Sequence, residues 1–258
     1  MSGFDTDQDA TLRPVSVDAT PQPIVRVDFV SRVDPDDLTG WPFTIPAVAQ
    51  IVRDGMAFAP GVTFLVGENG AGKSTIIEAI AMACGLSGEG GTRNTRHQTH
   101  ATESSLHEHL GVTRDLRADQ WAFFLRQETL HGLMTYMTET AARSDGPLHT
   151  MSHGESVLQI VQRRFNATGF YLLDEPESGL AFTSCLALAH TLQSIGQGGG
   201  QVLCATHSPI LTAIPDATIL EVGDDGIRSI DWSDIPDVRL WRSFLAEPQR
   251  FLRPEEDG

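Results

Sequence analysis

Chemistry concentrates first in Gly67-Glu68-Asn69-Gly70-Ala71-Gly72-Lys73-Ser74-Thr75, which fits G-x-x-x-x-G-K-[ST] at every fixed position. Glycines at those places let the backbone turn tightly, so that its N–H groups can point at phosphate oxygens. A helix starting at the lysine would add its positive N-terminal end. At this spacing Lys73 would reach the β- and γ-phosphates of a nucleoside triphosphate, and the Ser74 hydroxyl would ligate Mg²⁺. The chain has 17 arginines and one lysine, Lys73. A composition that favours arginine explains the seventeen. The flat guanidinium fork cannot replace a compact ammonium inside a tight loop, which explains the one.

A second cluster follows Phe170-Tyr171-Leu172-Leu173, an apolar strand pattern ending in Asp174-Glu175. Strand ends in open α/β sheets are where ligands sit. Asp174 would hold Mg²⁺, directly or through water, and Glu175 would orient or deprotonate an attacking water. The plain alternative is a strand followed by an acidic turn, because Pro176 and Gly179 come next. The upstream cradle favours the chemical reading. Two further segments lie beside predicted elements: Met151-Ser152-His153-Gly154-Glu155-Ser156 before a helix, and Cys204-Ala205-Thr206-His207-Ser208-Pro209 after a strand.

The elements that must position these residues can be read from periodicity. Strands are expected over Ile24–Val33, Val62–Val66, Trp121–Leu125, Gly169–Leu173 and Gln201–Ala205. Helices are expected over Lys73–Cys84, Leu130–Ala142, Glu155–Phe165, Cys185–Ile195 and Asp237–Ala246, with a short one near Ser104–Leu110 and another opening at Pro209–Ala213. Pro35–Pro46 reads as a loop. Thr218–Val222 and Gly226–Trp232 bracket an Asp225-Gly226 turn, a hairpin signal. Strands alternating with helices predict an α/β fold with a mostly parallel sheet covered on both faces.

At 258 residues the chain has room for one large α/β domain, or two small ones at most. Residues 1–22 are rich in Asp, Thr, Ser and Pro and read as a disordered tail; 23–250 read as one domain and 251–258 as a charged tail. The formal charge of −16 argues against coating nucleic acid by bulk charge. No apolar run approaches the roughly 18 residues that span a membrane. The polar, acidic start reads as no signal peptide, and the three cysteines show no paired spacing. A cytoplasmic protein without membrane insertion is expected.

The order of lysine loop, S-x-G-E, D-E and strand-end histidine resembles the nucleotide-binding domain of ABC-type ATPases in the P-loop NTPase superfamily. The fragments GENGAGKST, EGGTRN, FFLRQE, SHGES, LLDEPE and ATHSPIL look most like stand-alone AAA-family ATPases related to the RecF and SMC branch. The resemblance covers about residues 24–250. It implies a mostly parallel central sheet with a smaller antiparallel β part and a shortened helical arm. It also implies ATP and Mg²⁺ as ligands. Ser152, Gly154 and Glu155 match the signature that binds the γ-phosphate held by a second subunit, with His153 in place of the usual glycine. His207 matches the switch histidine that meets the γ-phosphate and water, and Glu177–Leu180 takes the place of the loop crossing the dimer interface. Gln127 is the candidate for the glutamine that senses Mg²⁺ and water, with Arg126 and Glu128 as alternatives. Trp41 and Phe43 are candidates for the aromatic that stacks on adenine, with core packing as the competing role.

The resemblance implies an ATP-hydrolysing switch working as a homodimer. An ATP-dependent binding module acting on DNA or a partner protein is the alternative, and a transporter subunit is a third. Only 25 positions separate Gln127 from Ser152. That leaves no room for the long coiled coil of SMC-like proteins, and it shortens the arm with which transporter subunits grip a membrane partner. The tail after Trp232 is too short for a fused nuclease, so Asp231, Asp234 and Asp237 read as a solvated turn. Arg93-Asn94-Thr95-Arg96-His97, with His100, and the pair Arg163-Arg164 could face a polyanion, but a mobile surface loop is the plainer reading of the first. His107, His109 and His131 match no zinc spacing and read as structural or solvated.

Overall fold

Strand β3 (Gly61–Val66) is buried at all but its first residue, as a central strand covered on both faces must be. In the computed structural model, which describes residues 21–31, 33–34, 38–93, 104–130, 132–133, 153–165 and 168–252, β3 lies inside a six-stranded sheet. Its parallel neighbours are β7 (Gln201–Ala205) and β8 (Thr218–Gly223). Beyond β7 come β6 (Phe170–Asp174) and β5 (Ala122–Arg126), both parallel. Beyond β8 comes β9 (Gly226–Ser229), antiparallel in a hairpin. The order is β5-β6-β7-β3-β8-β9.

Successive strand residues face opposite sides, so two cores form. Phe64, Tyr171, Leu173 and Cys204 pack with Val157, Ile160 and Val161 of α3 (His153–Arg164) and Leu188 and Leu192 of α4 (Phe182–Gln197). Leu65, Phe170, Leu172 and Leu203 pack with Ile76, Ile77 and Ile80 of α2 (Lys73–Ala83), and with Ala47, Val48 and Ile51 of α1 (Pro46–Asp54). A three-stranded antiparallel sheet joins β1 (Arg26–Phe29) to β2 (Met56–Ala57) and β4 (Leu110–Thr113). The buried Gln201 side chain ties the two sheets. Its Oε1 accepts from the Ile24 N–H at 2.9 Å, and its Nε2 donates to the Ile24 and Ala59 carbonyls at 3.0 Å each.

Most expected elements stand where periodicity puts them, and the departures have local causes. Helix α1 was not anticipated. Pro46, read as the end of a loop, is instead the first helical residue, where its missing N–H costs nothing. The helix expected from Pro209 is a turn and a 3-10 segment, Leu211–Ala213, because Pro215 restricts Ile214. The hairpin turns on Asp224-Asp225, with Gly223 paired to Gly226, one residue earlier than expected. The tail 1–20, the basic residues 94–100, His131 and most of the expected 130–142 helix lie outside the described residues. So does the arm between that helix and Ser152. After β9 the chain runs through a 3-10 turn at Trp232–Asp234 into α5 (Pro236–Ala246) and a short α6 (Pro248–Phe251). Among the described residues no helix is long and apolar enough to cross a membrane.

Candidate functional site

Register places the chemistry-bearing residues side by side. Leu65 of β3 and Asp174 of β6 both pair with Ala205 of β7, and Arg126 of β5 pairs with Asp174. Each strand therefore ends at one edge of the sheet. The cradle leaves β3, the acidic pair leaves β6, Gln127 leaves β5 and His207 follows β7.

The cradle Gly67–Gly72 leads directly into α2, whose first residues are Lys73, Ser74 and Thr75. Gly67 has φ +141°, and a Cβ there would stand 2.1 Å from the Val222 carbonyl oxygen of β8. Only glycine lets the loop leave β3 this close to its neighbour. Glu68, Asn69 and Gly70 form the exposed rim, and Ala71 is half-buried. Lys73 is only 4% exposed. Its Nζ donates to the Gly67 carbonyl at 2.8 Å and the Glu68 carbonyl at 2.9 Å. Burial lowers its pKa, opposed by the carboxylates of Glu175, Asp174, Asp237 and Glu177.

Ser74 Oγ donates to Asp174 Oδ1 at 2.9 Å, linking residues 100 positions apart. Burial pushes the Asp174 carboxyl up to about 6, against the pull of the Ser74 hydroxyl and the Arg126 guanidinium. Glu175 is half-buried, with its N–H on the Ala205 carbonyl and φ +50°, a backbone angle that a non-glycine residue takes only when its surroundings impose it. Its Oε1 lies 3.8 Å from His207 Nε2. On the other edge of that ring, Nδ1 lies 3.6 Å from Asp237 Oδ2. Nε2 is buried and has no hydrogen-bond partner among the described residues.

The three candidates at the end of β5 separate cleanly. Arg126 turns back to pair with Glu78 of α2, and its Nε lies 3.9 Å from Asp174 Oδ2. Glu128 is exposed and meets Arg126 at 3.0 Å. Gln127 donates through Nε2 to the Ser178 carbonyl at 3.2 Å, in the loop that follows the acidic pair. Gln127 is thus the one held toward that loop. Gly154 and Glu155 lie in the first turn of α3, with His153 its first residue, and Ser152 lies outside the described residues. Phe43 packs against the core and meets His109 edge-on, whereas Trp41 is 61% exposed, so core packing holds for the first and not for the second. His107 and His109 bond to the Ser104 carbonyl and the Ser31 hydroxyl, and no group of three metal-ligating side chains stands among the described residues.

A cleft of about 850 Å³ runs from the cradle past Glu175 and His207 to the β8–β9 hairpin and Asp237. The sequence places Asp237 in a solvated turn with Asp231 and Asp234. Asp234 does pair there, with Arg239, but Asp237 faces the cleft. Its only sequence signal was an acidic residue just after Pro236, at a helix start. A glycine-lined loop, a helix N-terminus and a buried ammonium suit a polyphosphate. The Ser74 hydroxyl beside the Asp174 carboxylate is an all-oxygen pair suited to Mg²⁺.

A family model described as an AAA domain matches residues 53–128. The cytochrome c biogenesis ATP-binding export protein CcmA of Rhodopseudomonas palustris is 31% identical over 179 residues, covering 62% of this chain and 86% of that protein. The ATP-dependent permease PDR12 of Saccharomyces cerevisiae is 22% identical over 241 residues, 81% of this chain, which spans only 16% of the permease's length. Among solved structures, the SMC head domain from Thermotoga maritima is similar at 14% identity and a TM-score of 0.40, covering 69% of this chain and 93% of that one.

Proposed function

Because the chain belongs to the ABC-type family of P-loop ATPases, we propose that it is an ATP-hydrolysing switch in which two copies sandwich two Mg-ATP molecules. The observation that carries the reading is the Ser74–Asp174 hydrogen bond, which joins the phosphate cradle to the acidic strand end with Glu175 one residue further on. In this reading Gly67–Thr75 bind the phosphates through backbone N–H groups, and Lys73 exchanges its two loop carbonyls for β- and γ-phosphate oxygens. Ser74 and Asp174 would hold Mg²⁺, which supplies charge neutralisation at the phosphate oxygens, with Gln127 close to the same edge. Glu175 takes the proton of the attacking water, and His207 faces the γ-phosphate. Ser152, Gly154 and Glu155 of the second copy complete each site at the start of α3, where the helix dipole favours an anion.

The single ATPase domain runs from 23 to 250, and the buried free cysteines Cys84, Cys185 and Cys204 agree with a reducing cytoplasmic setting. The short interval between Gln127 and Ser152 counts against a transporter subunit, and a DNA or protein partner would receive the switch's output.

The test is sedimentation of the Glu175→Gln protein with and without Mg-ATP, with Ser152→Arg as control. Conversion of monomer to dimer by ATP, blocked by Ser152→Arg, is the expected result. ATP binding without a dimer would overturn the sandwich. Recovery of the chain with an integral membrane protein would replace the switch reading by that of a transporter subunit.

A further inference from the structure

Asp237 has no place in the roles set out above, yet the fold delivers it to the lining of the cleft. The residues around it are fixed: Ile235 and Val238 are 4% and 2% exposed and belong to the core under α4. Trp232 Nε1 donates to the Pro209 carbonyl at 3.3 Å, two residues beyond His207, which ties this segment to the switch loop itself. Pro236 then opens α5, so Asp237 sits in its first turn with the backbone already committed.

The ring it meets is equally constrained. The His207 backbone N–H is held by Glu177 Oε1 at 2.7 Å. Its Nδ1 edge looks at Asp237 Oδ2 from 3.6 Å, and its Nε2 edge looks at Glu175 Oε1 from 3.8 Å. A neutral imidazole carries one proton, and which nitrogen holds it is set by the partner on the other. A γ-phosphate or water in the cleft would lie on the Nε2 edge, beside Glu175. Asp237 lies on the opposite edge of the ring, where it too lines the cleft. At 3.6 Å the contact is an electrostatic one, longer than a hydrogen bond, and such contacts tighten when a site fills.

We propose that Asp237 is a positioning residue for His207: its carboxylate keeps a proton on Nδ1, so that Nε2 is the unprotonated nitrogen, on the edge that faces Glu175. The consequence for turnover rests on the ATPase reading above; the placement of the proton does not. Asp237 thereby couples α5 to the switch loop, because any shift of α5 moves the carboxylate that fixes the ring.

The experiment has two arms. In the first, ¹⁵N-histidine NMR of the full chain without nucleotide or Mg²⁺ locates the ring proton, with the His207 signals identified by their loss in His207→Gln. The expected result is Nδ1–H in the wild type and a move toward Nε2–H in Asp237→Ala, with Asp237→Glu restoring the wild-type pattern. The same proton position in wild type and Asp237→Ala would overturn the proposal. In the second arm, Asp237→Ala should lower the ATP turnover number by about tenfold to a hundredfold at unchanged KM. That loss should vanish in a His207→Ala background. Additive losses would overturn the proposal. A wild type that turns over no ATP would overturn the ATPase reading instead, and the NMR arm would still decide the role of Asp237.

Discussion

Glu177 and His207 are joined through one carboxylate oxygen. Glu177 Oε1 accepts the His207 backbone N–H at 2.7 Å and the Thr206 hydroxyl at 2.6 Å. The loop after the acidic pair and the loop after β7 are therefore one unit. Hydrogen bonds to a charged acceptor contribute about 1.5–3 kcal/mol each. Glu177→Ala should lower unfolding stability by about 2–4 kcal/mol in urea titrations. Glu177→Gln keeps an acceptor oxygen and should lose less than half as much. Equal losses in the two would mean that the contribution rests on the charge and that a neutral acceptor recovers none of it.

The cradle glycines differ in what they can tolerate. A Cβ on Gly67 would collide with the β8 backbone, whereas one on Gly70 would meet nothing within 4 Å. Gly67→Ala should separate β3 from β8, lower the melting temperature and abolish nucleotide binding. Gly70→Ala carries only the strain of φ +83°, about 1–2 kcal/mol, and should stay folded. Calorimetry of ATP binding and thermal melts distinguish the two. Equal melting temperatures would show that the loop can relax away from Val222.

Arg126 and Glu78 form a largely buried pair, 18% and 9% exposed at their side chains. Removing one partner strands the other charge, at a cost of about 3–5 kcal/mol. Arg126→Met should destabilise by about that amount, and adding Glu78→Gln should recover most of it. Failure of the second change to restore stability in denaturant melts would place the loss elsewhere, at the Arg126 contact with Asp174.

Asp174 makes the metal-free protein sensitive to pH. Its carboxyl sits at about 6 when folded, against an ordinary 3.8, so the native state binds the proton more tightly than the unfolded chain. The resulting stability is fully present below about pH 4 and is lost as pH rises through about 6. Two units amount to about 3 kcal/mol. Asp174→Asn should flatten this part of the stability curve and melt higher than wild type above pH 6 in chelator. It should also lose all stabilisation by Mg-ATP. An unchanged slope between pH 4 and 6 would assign the titration to another group.

The short-range features were legible because their causes are local. Glycine spacing, the lone lysine and strand runs such as Phe170–Asp174 and Gln201–Ala205 each carry their own physical signal. Leu65, Asp174 and Ala205 could be placed at one sheet edge only through the expected parallel order. What escaped depended on partners distant in sequence. Helix α1 packs on β1 and the β8–β9 hairpin, and Pro46 disguised its start. Nothing near Arg126 announced that it would turn to Glu78 and leave the adjacent Gln127 to reach Ser178. Asp237 looked like one of three spaced acids until the tie between Trp232 and Pro209 set it against His207.

The strand order carries a consequence for how the molecule is made. Strand β3 forms early in the chain, yet both of its neighbours, β7 and β8, are encoded far downstream. At ordinary synthesis rates of roughly 5–20 residues per second, β3 waits on the order of ten seconds for Gln201–Gly223 to emerge. Throughout that interval an apolar strand with two open edges is available to any other strand it meets. Growing chains should therefore depend on shielding at the ribosome, and slow decoding between the cradle and β7 should raise aggregation without changing a single residue of the finished protein.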